Sequence, residues 1–369
     1  MSTDATPAPA APARLLCLDA YRGFIMFTLL FGGVFQSLKN TSGWEWLALH
    51  NDHVAWEGCV YWDLIQPSFM FMVGVAMPFA LTKRAAAGAT WGQRFTHVLI
   101  RAFNLILVGI ILDHMGNDTI QIGFIRVLQQ IAIGYVLAFF VAEKSWRIQA
   151  ITAAAILVGY HLLWTFNPSN GPGGPWAMGN ENIGSAFDFW MLGRHYSGYY
   201  VGLNAIPATA TIIFGCMAGG LIQKRLPHGR TLLILTASGL AALGLGWALS
   251  PWLPIIKRLW TPSWTVDAAG ATTLMLAAFY LIIEVWSRRR WAFPLVVVGM
   301  NSIAAYCLPG LFGQWWSRLS GAWVKAVGDT WIAFEPGSIW RPVFEKLLFV
   351  TFAWLVLYWL YRRRIFLKC

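Results

Sequence analysis

The chain has 369 residues, of which 57% are hydrophobic and 12% are charged, and its mean hydropathy is +0.56. Soluble domains carry about 25% charged residues, so the composition excludes an ordinary soluble enzyme, a collagen-like chain and a disulfide-rich secreted domain. A net charge of +11 would suggest nucleic acid in a soluble protein, but in a membrane protein basic residues mark cytoplasmic loops. We therefore expect no nucleic-acid partner.

Long apolar stretches recur along the chain. Residues 1–13, rich in Ala and Pro, are predicted to be a disordered tail, and 14–369 a single transmembrane domain. Stretches of about 17 to 23 residues can cross ~30 Å of hydrocarbon. They predict an all-α polytopic membrane protein with about ten transmembrane helices, at 20–38, 60–82, 95–113, 123–142, 148–166, 203–222, 231–250, 266–286, 292–313 and 343–361. Pro309-Gly310 is the expected place for a break within a span.

Basic residues predict the orientation of these helices. With both termini in the cytoplasm, the cytoplasmic segments hold twice as many Lys and Arg as the opposite side, as the positive-inside rule requires. An even number of helices agrees with this arrangement. The five cysteines are scattered, with no CxxC or Cys/His zinc spacing, and are predicted to be structural thiols without a metal.

The loop between the first two predicted helices holds the densest polar cluster. His53 lies in it, and Asp63 follows near the outer end of the second helix. A histidine can accept and return a proton near neutral pH, and a carboxylate can fix its tautomer. From residue types alone, however, a histidine held by ordinary loop contacts is the favoured interpretation. A metal at His50, Asp52 and His53 is disfavoured because no Glu/His pair at helical spacing accompanies them.

Charged side chains inside the predicted helices form a second group of candidates. Each costs at least ~2.5–3.5 kcal/mol in a membrane helix and so marks function by default. Asp19 and Arg22 are three residues apart and can pair on one helix face. Snorkelling to the inner interface is the alternative for Arg22 and Arg101. The other members of the group, on the fourth helix, are Arg126 and the polar Gln129 and Gln130 that follow it.

Later polar residues and the outward tryptophans have open interpretations. Lys257 lies in an outward loop, and Asn301 lies within the ninth predicted helix. Asn301 is predicted to make a helix–helix hydrogen bond, with a polar cavity as the alternative. Tryptophans in the outward loops are expected to form an interfacial belt, and stacking against a sugar ring is the alternative, with Trp56 as its candidate.

Several motifs together carry a family resemblance. The first run is Arg14-Leu15-Leu16-Cys17-Leu18-Asp19-Ala20-Tyr21-Arg22-Gly23. The second is His53-x-x-Trp56-x-Gly58, followed after four residues by Asp63-Leu64-Ile65-x-Pro67-x-Phe69-x-Phe71-x-x-Gly74. The later ones are Arg126-Val127-Leu128-Gln129-Gln130-Ile131, Ile206-Pro207-Ala208, Lys257-x-Leu259-Trp260-Thr261-x-Ser263 and Gly299-Met300-Asn301. From about 14 to 313, the chain resembles the membrane acyltransferases related to heparan-α-glucosaminide N-acetyltransferase.

The resemblance implies a transmembrane acetyltransferase. It would take an acetyl group from cytosolic acetyl-CoA and pass it to a glucosamine-like amino sugar or glycan on the outer side, through a catalytic His53 oriented by Asp63. The residues expected to bind CoA or the sugar are Asp19, Arg22, Trp56, Arg101, Arg126, Gln129, Lys257 and Asn301. One position departs from the animal enzymes: Phe31 stands where they carry a functionally important Asn, so that role is vacant or passes to Asn40 or Asn51.

Further expectations accompany this assignment. We expect acetyl-CoA as cosubstrate, no metal, and a multi-pass location in the inner (cytoplasmic) membrane, with the lipid bilayer as surroundings and a homodimer as one option for assembly. The alternative function is an amino-sugar permease without catalysis. Such a permease would transport sugar without releasing the thiol of CoA.

Overall fold

The computed structural model describes residues 15–115, 122–323 and 338–367, and the predicted tail at 1–13 lies outside them. No strand occurs in these residues, which confirms the all-α class. Thirteen α-helices are described, in chain order: α1 Leu16–Leu30, α2 Glu45–Leu49, α3 Ile65–Ala86, α4 Trp91–His114, α5 Val127–Ala142, α6 Trp146–Thr165, α7 Ile183–Leu192, α8 Ala205–Gln223, α9 His228–Leu249, α10 Pro262–Tyr280, α11 Phe293–Met300, α12 Ser302–Trp323 and α13 Trp340–Arg362.

Helices occupy every region where a span is predicted. Among the described residues, seven are long and apolar enough to cross a membrane, or up to eight if a bent pair formed by α11 and α12 counts as one span. The helices α1 and α5 have only 15 and 16 residues and fall short by length. The chain is therefore polytopic, while the number of ten spans and the cytoplasmic termini stay predictions.

Two predicted helices differ in their course. The first was expected to continue to residue 38, but α1 ends at Leu30 because Gly32-Gly33 follows and Gly33 adopts a positive φ of 72°. The ninth was expected to be continuous or to break at Pro309. Instead it breaks at Asn301, where the two segments meet at a bend of 68°, and Pro309 lies inside α12.

Small residues let neighbouring helices approach backbone to backbone. A Cβ atom at Gly74 of α3 would overlap the carbonyl of Ile212 in α8, and one at Gly23 of α1 would overlap the carbonyl of Leu295 in α11. Such close contact is how membrane helices associate without a hydrophobic driving force between them. The two glycines therefore fix α3 against α8 and α1 against α11.

The helix α3 connects two ends of the bundle that each hold charged residues singled out in the sequence. Its 22 residues rise about 33 Å in total. At its beginning, which we call the Asp63 end, a 3₁₀ turn at Tyr61–Leu64 leads into it and α10 also begins. At the other end, the Arg84 end, α4 begins and the α11–α12 break lies nearby.

Candidate active site

The carboxylate of Asp63 is the centre of the polar cluster. The side chain is only 1% exposed and lies in the 3₁₀ turn before α3. Its Oδ2 accepts hydrogen bonds from the backbone N–H groups of Val60, at 3.3 Å, and Val54, at 3.5 Å. Backbone donors therefore occupy Oδ2, and the other oxygen, Oδ1, faces side chains.

His53 contacts that second oxygen. Its Nδ1 lies 2.6 Å from Oδ1 of Asp63, while its side chain remains 36% exposed. An ionised carboxylate only accepts hydrogen bonds, so this contact assigns the ring proton to Nδ1. The lone pair of Nε2 is thereby left for a substrate, which is the arrangement of an oriented histidine base or nucleophile.

The segment that carries Lys257 is tied to the His53 loop. Gly58 has a positive φ of 109°, a conformation that favours glycine, and its N–H donates to the carbonyl of Ile255 at 2.9 Å. Thr261 caps α10 by accepting from Trp264 N, and its hydroxyl also donates to the carbonyl of Pro254 at 2.8 Å. The hydrogen bonds of Gly58 and Thr261 fix the segment that contains Lys257 next to His53 and Asp63.

Lys257 is expected to bind a substrate, but the structure shows it inside the cluster. Its Nζ lies 3.4 Å from Oδ1 of Asp63 and 3.2 Å from Nδ1 of His53, and the residue is only 5% exposed. Burial removes the hydration of the ammonium group and lowers the pKa of Lys257 to about 8, although the nearby Asp63 opposes this shift. The negative charge of Asp63 therefore favours the protonated form of Lys257 in this buried position.

Trp56 packs into the core, whereas sequence analysis made it a candidate for sugar binding. It is 9% exposed, its Nε1 donates to the carbonyl of Trp176 at 3.0 Å, and its ring meets Tyr199 edge to face. Its contacts stabilise the His53 loop. The aromatic ring beside His53 is that of Trp62, at 6.5 Å between ring centroids.

The two candidate replacements for the first-helix Asn differ in placement. Asn51 is buried, its Oδ1 accepts from Phe35 N at 3.4 Å, and its carbonyl accepts from Gln36 Nε2 at 3.3 Å. It therefore joins the His53 loop to the segment after α1. Asn40 is exposed. These contacts give Asn51 a structural part in the loop.

A chain of amides, half-buried at Gln66 and buried at Gln130 and Asn204, connects the segments next to the cluster. Gln66, one turn after Asp63, donates to Gln130 of α5, and Gln130 donates to Asn204 before α8. Asn204 in turn donates to the carbonyl of Arg258 at 3.4 Å. Sequence analysis did not select Gln66 or Asn204, although polar residues in apolar spans are the signal that could have found them.

Arg126 and Gln129 form a separate cluster around Asp113 of α4. Arg126 makes an ion pair with Asp113, and Gln129 Nε2 donates to the same carboxylate at 3.3 Å. Arg126 is also the residue that precedes α5. The expected substrate contacts of these two residues stay predictions, and the observed contacts connect α4 to α5.

A cavity of about 570 Å³ opens at the Arg84 end. Its lining includes Arg22 and Arg101, which the sequence predicts as ligands, together with Arg84, Arg94 and His97. Arg84 and Arg94 are basic residues that the sequence assigns to a cytoplasmic segment. The guanidinium of Arg101 lies 4.8 Å above the ring of Tyr135, and its buried Nε has no hydrogen-bond partner among the described residues. Four arginines around one cavity suit an anionic ligand, since guanidinium matches phosphate geometry.

Asp19 and Asn301 support this cavity from behind. Asp19 lies 3.8 Å from the guanidinium of Arg22. Asn301 is fully buried and does not line the cavity: its Nδ2 donates to the carbonyl of Ile365 and its Oδ1 accepts from Leu367 N, both at 3.0 Å. Because Leu367 lines the cavity, Asn301 acts through the backbone that it holds. Its predicted helix–helix bond is replaced by a bond to the segment after α13.

Potential metal ligands are not grouped in the part of the chain that the structure describes. Within 15–115, 122–323 and 338–367, no three His, Cys, Asp or Glu side chains lie close enough together to hold an ion. The expectation of no metal stays a prediction.

The sequence is similar to known proteins over most of its length. A family model described as "Heparan-alpha-glucosaminide N-acetyltransferase, catalytic" matches residues 14–243. The human protein named heparan-alpha-glucosaminide N-acetyltransferase is 24% identical over 430 residues, covering 97% of this chain and 60% of the human protein. The mouse protein of the same name is 23% identical over 360 residues, covering 79% and 53%. The chain thus spans little more than half of each relative.

Proposed function

The chain belongs to the heparan-alpha-glucosaminide N-acetyltransferase catalytic family, and on that premise we propose that it moves an acetyl group from acetyl-CoA to an amino sugar. The observation that carries this proposal is the 2.6 Å contact between His53 Nδ1 and Asp63 Oδ1. It leaves Nε2 of an accessible imidazole free to react. A glucosamine-like amine is the acceptor named by the relatives.

The cavity at the Arg84 end is the proposed site for the CoA phosphates. Arg22, Arg84 and Arg101 supply positive charge, and the Nε of Arg101, which has no partner among the described residues, offers a hydrogen bond to an anion. This end holds the loop 83–94, which the distribution of basic residues assigns to the cytoplasm. The donor would therefore enter from the cytoplasm, and the acceptor would meet His53 on the outer side of the inner membrane.

Two routes use Nε2 of His53 in the chemical step. In the first, Nε2 attacks the thioester carbonyl, the C–S bond breaks, and the CoA thiolate takes up a proton. The acceptor amine then attacks the acetyl-imidazole, loses a proton and regenerates His53. In the second, Nε2 removes the amine proton while the amine attacks the thioester carbonyl directly; the C–S bond then breaks, and the leaving CoA thiolate takes the proton back from Nε2. The first route predicts that the protein, incubated with acetyl-CoA and no acceptor, carries an acetyl group on the peptide that contains His53; the second route does not.

The direct test is thiol release from acetyl-CoA by the purified protein, with and without glucosamine. We expect release that depends on His53, with His53→Ala lowering the rate by at least about 100-fold, the usual contribution of such a group. CoA binding and yield should stay near wild type, because His53 lies in an exposed loop.

The matched control is His50→Ala, a histidine of the same loop whose Nδ1 accepts only the backbone N–H of Tyr61, at 3.3 Å. It should keep most of the activity. Wild-type rates in His53→Ala would contradict the proposed role of His53. Uptake of amino sugar by vesicles without any thiol release would favour the permease.

A further inference from the structure

Three side chains meet at one oxygen of Asp63. His53 Nδ1 lies 2.6 Å and Lys257 Nζ 3.4 Å from Oδ1, and the two nitrogens are 3.2 Å apart. Both nitrogens act as donors here, because an ammonium group has no lone pair and Nδ1 carries the ring proton. The imidazole and the ammonium therefore share one carboxylate charge.

Lys257 is the cation in direct contact with this pair. Among the described residues, only His53 and Lys257 approach the Asp63 carboxylate as ion-pair partners within 4.0 Å. The guanidinium of Arg258 is directed elsewhere, to the carbonyl of Gly198 at 2.7 Å and over the ring of Tyr200.

The remaining titratable groups nearby do not replace Lys257. Asp52 accepts the backbone N–H of His53 at 2.8 Å, and neither Asp52 nor Cys59 can supply the positive charge that Lys257 brings to Asp63. The titratable or charged side chains that surround the cluster, from its own loop and from other segments, are His50, Asp52, Cys59, Tyr200, Arg258 and Asp267.

We propose that Lys257 is a positioning residue that shares the charge of Asp63 with His53 and thereby favours the neutral form of the imidazole over the imidazolium. This inference rests on the proposed function, because only a neutral imidazole can attack a thioester or accept a proton. A carboxylate alone would stabilise the imidazolium, whereas a second positive charge 3.2 Å away disfavours it. With Lys257 charged, the three groups sum to zero; protonation of His53 would leave a net positive charge in a mostly buried cluster.

The test compares the pH dependence of His53 in wild type and Lys257→Met. Diethyl pyrocarbonate modifies neutral imidazole, so the rate of its reaction with His53, followed on the His53 peptide by mass spectrometry, falls as the ring is protonated. We expect the midpoint of this curve to move to higher pH by about one unit in Lys257→Met, the scale of a neighbouring charge. The acid limb of thiol release should move in the same direction. A midpoint that coincides with wild type would overturn the proposal.

Arg258→Met is the matched control, because it removes one positive charge from the adjacent position, which does not contact Asp63. Its midpoint should stay close to wild type, and an equal shift in both variants would show a general charge effect and contradict the specific role of Lys257. If Lys257→Met aggregates, Lys257→Gln keeps a donor to Asp63 without the charge and carries the same expectation.

The reaction of His53 with diethyl pyrocarbonate does not require catalytic turnover. The acetyltransferase function and the role of Lys257 can therefore be contradicted independently of each other. A wild-type protein that releases no thiol would contradict the acetyltransferase function and leave the labelling result readable. Activity in the wild type with unmoved midpoints in the variants would contradict only the role of Lys257.

Discussion

Asp63 combines two tasks that a single substitution can separate. One oxygen accepts two backbone N–H groups of the loop, and the other contacts His53 and Lys257. The backbone contacts fix the turn before α3, and the side-chain contacts act on the imidazole. An amide keeps the size of the group and part of its hydrogen bonding but loses the charge.

Asp63→Asn should therefore lower activity by about tenfold or more, and less completely than His53→Ala. Removal of the negative charge disfavours the imidazolium, so the acid limb of the pH–rate profile should move to lower pH, opposite to the shift in Lys257→Met. The rate of thiol release, measured from about pH 5 to about pH 9, gives both the loss of activity and the position of the acid limb, because histidine titrates within this interval.

Asp52→Asn is the control for this experiment, since the one hydrogen bond of the Asp52 carboxylate among the described residues is to the backbone N–H of His53, at 2.8 Å. The acid limb of the pH–rate profile of Asp52→Asn should coincide with that of the wild type. An unmoved limb in Asp63→Asn would mean that the carboxylate only supports the turn before α3.

At this scale, the sequence indicates His53 and Asp63 as a pair, and it indicates Lys257 as a substrate contact but not as a neighbour of that pair. His53 and Asp63 are ten residues apart, and their chemistry is visible in a local motif. Lys257 is separated from His53 by 204 residues, so only the folded chain reveals that its ammonium group contacts them. The packing of the Trp56 ring against Tyr199 is likewise visible only in the folded chain, and a sugar contact of Trp56 stays a prediction.

At the scale of helices, the break between α11 and α12 organises the wall of the cavity. Asn301 lies at the break and holds the backbone of Ile365 and Leu367 with two hydrogen bonds of 3.0 Å. Phe366 and Leu367 contribute to the cavity lining together with Gly299, Met300 and Ile303. Loss of the amide would therefore free one side of the proposed donor site.

Asn301→Ala should raise the KM for acetyl-CoA by roughly five- to tenfold, the effect of about 1–1.5 kcal/mol from lost hydrogen bonds. The maximal rate should change much less, because His53 lies at the other end of α3. Initial-rate kinetics against acetyl-CoA concentration separate the two parameters. A fall in maximal rate with an unchanged KM would contradict a role in the donor site.

Thr351→Ala is a suitable comparison for this variant. Thr351 is an exposed residue of α13 whose hydroxyl bonds only its own helix, to the carbonyl of Leu347. Its KM should match wild type.

The hydropathy of the sequence predicts the positions of the helices, but it does not predict the end of α1 or the break between α11 and α12. Apolar runs located a helix in each predicted region because burial in lipid requires length and low polarity. The end of α1 at Leu30 depends on the conformation of Gly33, and the break at Asn301 depends on a partner more than sixty residues later. Tertiary hydrogen bonds of this kind leave no periodic pattern in the sequence.

At the scale of the whole molecule, the proposed reaction requires its two sites to face opposite sides of the membrane. The His53 cluster lies at the beginning of α3, and the arginine-lined cavity lies beside its last turns. The 18 residues that follow Asp63, up to Leu81, rise about 27 Å, which is close to the ~30 Å of hydrocarbon. A donor held in the cavity must therefore extend deep into the bundle to deliver its acetyl group.

The sidedness of the two ends is the prediction on which the cross-membrane reaction depends. In a background without native cysteines, we expect Glu57→Cys, in the His53 loop, to react with a membrane-impermeant maleimide in intact cells. Ala87→Cys, in the turn between α3 and α4, should react only after the membrane is opened. Both positions are exposed, so accessibility within the protein is matched and the membrane alone decides the outcome. Labelling of Ala87→Cys from outside would contradict the orientation given by the positive-inside rule. Labelling of both variants from the same side would exclude transfer across the bilayer, even if the protein releases thiol from acetyl-CoA.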